Sequence, residues 1–119
     1  MNKNPSKEEI INQAIRLHLQ GNIPEATKYY KYCINQGIND PRIFSNYGAI
    51  LQGLGKLEDA AKWYRKAIKV KPDLVEAHLN LGNILRNLGK LKEAKFCSEK
   101  VMSLRSWSIL GSYSFNHDI

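Results

Sequence analysis

Ala26, Ala60 and Ala94 stand 34 residues apart, and each follows a glycine by five positions: Gly21, Gly55 and Gly89. Self-similarity at a fixed period of this length marks one supersecondary unit copied along the chain. Aligned on the alanines, the units run 7–40, 41–74 and 75–108. Within each, apolar residues recur every three or four positions over about 14 residues, pause at the glycine, then resume, as two antiparallel amphipathic helices require. In the middle unit Phe44, Tyr47, Gly48 and Leu51 make the inward stripe of the first helix, and Leu57, Ala60, Tyr64, Ala67 and Ile68 that of the second. The small residues Gly48, Ala60 and Ala67 mark where the two backbones come close. Such a hairpin buries its apolar face only against a neighbour, so the units must stack. The expected fold is all-α: a single domain, residues 1–119, built as a right-handed αα-hairpin solenoid with a C-terminal capping helix in the tail, 105–119.

The residues at fixed offsets resemble the tetratricopeptide repeat family, whose signature runs aromatic, Leu-Gly, large residue, Gly, Ala, aromatic, Ala, Pro. The second unit carries Phe44, Tyr47-Gly48, Leu51, Gly55, Ala60, Tyr64, Ala67 and Pro72, and the third Leu81-Gly82, Leu85, Gly89 and Ala94. The first keeps Leu17, Gly21, Ala26 and Tyr30 but has Gln13-Ala14 in place of Leu-Gly and Ile38 in place of Pro. Terminal repeats commonly diverge in this way. In the third unit His78 replaces the opening aromatic and Ser98 the second-helix aromatic, so the C-terminal hairpin is expected to be the softest.

Helix boundaries are legible from local chemistry. Ser6 with Glu9 forms a capping-box pattern, Asp40 precedes Pro41 at a first helical position, and Asp73 with Glu76 repeats the box. No apolar run is long enough to span a bilayer, and the opening Met1-Asn2-Lys3-Asn4-Pro5 lacks an apolar core, which points to a cytoplasmic protein. Cys33 and Cys97 fall in second helices of different units with no CxxC spacing, and read as reduced structural thiols. No nucleophile, paired carboxylate, Gly-rich phosphate loop or metal-ligand cluster is visible, so neither catalysis nor a cofactor or metal is expected. His78 reads as a packed, hydrogen-bonded imidazole at a core-facing position.

The formal net charge is +7, and Lys62, Arg65, Lys66, Lys69 and Lys71 fall in one stretch without an acid. They alternate in helical phase with Trp63, Tyr64, Ala67 and Ile68, read as buried, which is the pattern of a solvated helix face. Such a surface favours acidic partners, with nucleic acid the less favoured reading.

In stacked hairpins the first helices line the inner wall, where a partner is sought. Asn12, Asn46 and Asn80 all hold the sixth position of their units, so stacking places three carboxamides in a row. Each carries a donor and an acceptor and could hold the backbone N–H and C=O of an extended peptide. Gln52 shares this face, Asn83 and Asn87 widen it, and Arg42 and Arg86 could each bind a carboxylate through two parallel hydrogen bonds. The row resembles the asparagine ladder in the repeat arrays of O-linked N-acetylglucosamine transferases, which implies a substrate-recruiting arm related to a glycosyltransferase as one alternative. The family's chaperone-tail clamp needs Lys and Arg at places that here hold Ile11, Ile15, Glu76 and Asn80, with only Asn46 matching. The expected partner is therefore a protein or peptide segment lying along the wall.

The tail after Leu104 carries Trp107, Leu110, Tyr113 and Phe115 among serines. It is too apolar on too many sides for a plain lid, so a homodimeric scaffold joined through these four residues is the second alternative.

Overall fold

The computed structural model describes residues 4–117, and side chains as far as Ser106. It contains six helices, α1 (Lys7–Leu19), α2 (Ile23–Asn35), α3 (Pro41–Gly53), α4 (Leu57–Val70), α5 (Val75–Asn87) and α6 (Leu91–His117), with no strand among the described residues. First helices begin at 7, 41 and 75 and second helices at 23, 57 and 91, so the sequence period is also the backbone period.

Two of the three N-terminal signals form as read. Glu9 N–H donates to Ser6 Oγ at 3.1 Å while Ser6 N–H donates to Glu9 Oε1 at 3.2 Å, and Asp40 Oδ1 accepts from Arg42 N–H at 2.8 Å. The Asp73–Glu76 box does not form: α5 starts at Val75 behind Leu74, whose side chain makes no cap bond. Asp73 stands one residue too early to cap. Each first helix ends on a glycine in the left-handed region, with φ of 79°, 78° and 78° at Gly21, Gly55 and Gly89. There Lys56 N–H reaches back to Leu51 O at 2.9 Å and Lys90 N–H to Leu85 O at 2.8 Å, closing the helix before the chain reverses.

The hairpins close where the small residues predict. A Cβ at Gly48 would lie 3.3 Å from the Tyr64 ring and 3.4 Å from Ala60 O, and one at Gly82 would lie 3.2 Å from Cys97 Cβ. Tyr30 and Tyr64 are the largest fully buried side chains.

Burial between hairpins rests on residues that the inward stripes leave out. Ile43 and Ile50 of α3 pack with Ile11, Ala14 and Cys33 of the first hairpin, while Ala77 and Ile84 of α5 join Leu51, Ala61 and Tyr64 of the second. These four sit at the third and tenth positions of their units and form the seam. Burying each isoleucine contributes roughly 1.5–3 kcal/mol. Trp63, read as buried, is half-buried; it packs on Phe44 and Tyr47 at ring-centroid distances of 5.7 and 5.4 Å. The result is elongated, with a radius of gyration of 16.9 Å, against about 13.5 Å for a compact domain of this length.

The C-terminal segment is helical but is not a separate closing helix, because it continues α6 without a break to His117. Ser106 in place of a proline leaves nothing to stop the helix. The side chains of Trp107, Leu110, Tyr113 and Phe115, proposed for self-association, lie outside the described residues. Among those described, no helix is long and apolar enough to cross a membrane.

Candidate peptide-binding wall

Successive hairpins pack through α2 on α3 and α4 on α5, and their first helices also come together. α1 and α3 share one core cluster, α3 and α5 share the other, and a 150 Å³ cleft between α3 and α5 is lined by Arg42, Ser45, Asn46, Lys71, Leu74 and Glu76. Asn46 and the other residues singled out on this wall fall into two groups: those bound up inside the protein and those left to solvent.

One hydrogen bond recurs in all three hairpins, each time between the twelfth position of the unit and the twenty-fourth. Tyr64 donates its hydroxyl proton to Gln52 Oε1 at 2.8 Å, His18 Nδ1 lies 3.0 Å from the Tyr30 hydroxyl, and Arg86 Nη1 donates to Ser98 Oγ at 3.3 Å. Gln52 and Arg86, expected on the binding face, therefore serve their own hairpins. Arg86 also donates to Asn83 Oδ1, which engages a second residue of the expected strip. The spacing had a sequence signal, a polar residue twelve positions before the second-helix aromatic, but three different side chains perform the task and hide it.

The same tyrosines reach across the seam. The carboxamides of Asn46 and Asn80 lie beside the hydroxyls of Tyr30 and Tyr64 respectively, each on the preceding hairpin, and partly offset the effect of burial on each phenol. The one hydroxyl proton of Tyr64 is spent on Gln52, which leaves the phenolic oxygen only an acceptor toward Asn80. Burial pushes both phenols up to about 12, so they stay protonated near neutrality. Asn46 and Asn80 are half-buried, whereas Asn12, with no hairpin before it in the stack, is exposed, as is Asn87.

Arg42 is committed elsewhere. Its guanidinium bridges Glu8 through contacts of 2.8 and 3.1 Å and Asp40 through contacts of 3.0 and 2.8 Å, tying α1 to the start of α3. Hydrogen bonding to Arg42 holds both carboxyls below the usual range. Two anions already compensate this cation, so it does not offer a free fork to a ligand carboxylate.

His78 is buried and its Nε2 donates to Pro72 O at 2.8 Å, fastening the α4–α5 loop to α5 in the place of the missing aromatic. Cys33 and Cys97 are free and buried, and burial pushes both thiols up, away from the reactive thiolate.

The comparisons with known proteins agree with this geometry. A family model described as TPR repeat matches residues 50–89, and one described as Tetratricopeptide repeat matches residues 75–106. No curated protein matches the sequence. Among solved structures, the second TPR of Spaghetti (RPAP3) bound to HSP90 peptide SRMEEVD superposes with a TM-score of 0.72 at 24% identity, over 80% of this chain and 88% of that one. MamA superposes with a TM-score of 0.78 at 17% identity, over 87% of this chain and 61% of that one. Those two likenesses show the fold, and the family matches together span residues 50–106: the described residues form a stack of helical hairpins of the tetratricopeptide type.

Proposed function

We propose that the chain is a non-catalytic interaction module that holds an extended peptide or partner segment along the wall formed by α1, α3 and α5. The observation that supports this reading is the pair Asn46 and Asn80: same register, successive hairpins, each carboxamide beside a buried tyrosine of the preceding hairpin and still reaching solvent. A side chain half-buried against a neighbour has less rotamer freedom to lose when the ligand arrives, which lowers the entropic cost of binding. Packed helices lie about 8–10 Å apart, so an extended strand rising about 3.3 Å per residue would meet one rung every three residues or so.

Charge does not select the ligand at this wall. The solved neighbour carries the acidic peptide SRMEEVD, but here Arg42 is compensated by Glu8 and Asp40, and Glu76 lines the adjacent cleft. Neutral hydrogen bonding to peptide backbone is what the wall supplies.

A peptide array tests this directly. Asn46→Ala and Asn80→Ala should each weaken every array hit by about tenfold, one hydrogen-bonded rung being worth about 1 kcal/mol or somewhat more, whatever the peptide sequence. Hits that survive both substitutions unchanged would remove the proposal.

A further inference from the structure

The second helices differ sharply in charge. Lys62, Lys66 and Lys69 stand at i, i+4 and i+7 on α4 and so share one stripe. The matching places hold Lys28, Tyr32 and Asn35 on α2, and Phe96, Lys100 and Ser103 on α6. All three α4 lysines are exposed, and none takes part in an ion pair among the described residues, whereas Lys28, Arg42 and Arg65 do. Glu58 and Asp59, the acids of α4, stand in its first turn, at the far end of the helix from Lys69.

Two of these three charges are held in place. The Lys66 ammonium lies 4.6 Å and the Lys62 ammonium 5.3 Å from the Trp63 ring centroid. Each cation–π contact is worth about 0.5–1 kcal/mol at an exposed site. Lys66 also lines a 470 Å³ cleft with Lys69, Val70, Asn39 and Phe44. The cleft is thus an apolar recess with two cations on its rim.

We propose that this face is a second docking surface, for an acidic protein segment that inserts one large apolar side chain between flanking carboxylates. Phe44 and Val70 receive the apolar group while Lys66 and Lys69 meet the acids. Nucleic acid suits the face less well, because the ammonium groups occupy the Trp63 ring on which a base would stack. The surface is independent of Asn46 and Asn80, so either site can fail without the other.

The probe is a fluorescein-labelled peptide of sequence Glu-Asp-Phe-Glu-Asp, followed by anisotropy. Binding should weaken by about tenfold or more in Lys66→Gln/Lys69→Gln, and by a comparable factor between low and physiological salt, as exposed charge pairing is screened. It should be unchanged in Asn46→Ala/Asn80→Ala. Replacing the peptide's Phe by Ala, or its acids by Gln and Asn, should abolish the signal. Equal binding by the lysine variant, no binding by the intact protein at millimolar peptide, or tighter binding of a twelve-nucleotide oligo-dT would each overturn the proposal.

Discussion

At the seam positions where α3 presents Ile43 and Ile50 and α5 presents Ala77 and Ile84, α1 presents Glu9 and Arg16, both exposed. The other end of the stack is finished differently. Leu79, Leu91 and Met102 are 38%, 66% and 67% exposed, although Ile11, at the position of Leu79 in the first hairpin, is only 3% exposed beneath the hairpin that follows it. Ile23 and Leu57, equivalents of Leu91, and Ile34 and Ile68, equivalents of Met102, are likewise packed against their clusters. One end of the stack is closed by charge and the other is left apolar. A repeat position therefore has no fixed burial of its own; the neighbour decides it, and only the first unit carries residues suited to having no neighbour before it.

The largest expected effect comes from the seam itself. Ile84→Ala should cost about 2–4 kcal/mol in urea unfolding, since it removes buried methyl groups and leaves a cavity. Arg16→Ala, at the same register in the first hairpin, should cost no more than about 0.5 kcal/mol. Equal losses would mean that the tenth position is not the seam.

A second experiment removes the difference between the ends. Glu9→Ile/Arg16→Ile gives α1 the same seam chemistry as α3, so its face should accept the uncovered Leu79–Leu91–Met102 end of another molecule. Sedimentation velocity should then show concentration-dependent head-to-tail species that Met102→Lys suppresses, because a heterologous contact that does not close propagates. A variant that stays monomeric would show that the two faces are not complementary.

The smallest effect is a matter of pH. His18 and Gln52 do the same work for Tyr30 and Tyr64, but only His18 titrates. Burial lowers the His18 pKa below its ordinary 6.5, so the unfolded chain binds this proton more readily than the folded one. The contribution to stability is complete above the unfolded value and is lost as pH falls through the folded one. His18→Gln should flatten the pH dependence of the urea midpoint between about pH 7 and pH 5.5, above the range where carboxylates titrate. A variant that tracks the original protein across that interval would place the sensitivity elsewhere.

The contrast between the ends also shows how far the residues could be read in one dimension. The period, the turn glycines, the Ser6 cap and the close approach at Gly48 were legible because each is a local requirement, met within one turn or one hairpin. Seam residues such as Ile43 were not, since an isoleucine beside the main stripe resembles any other edge residue until a second hairpin lies against it. The candidate binding row was half legible. The common register of Asn46 and Asn80 was plain, but the tyrosines beside them lie sixteen positions back in the preceding hairpin, and nothing local announces that proximity. Arg42 was misjudged for the same reason, because Glu8 is 34 residues away and becomes its neighbour only on stacking.

By itself, then, the amino-acid order determined the helical hairpin, its length and its copying, because hydrophobic phase and capping chemistry act between residues a few positions apart. Tertiary structure alone decided which polar groups stay available to a partner. Ion pairing across the seam consumes Arg42, hydrogen bonds across each hairpin engage Gln52 and Arg86, and such pairing depends on distance in space between residues that the chain keeps far apart.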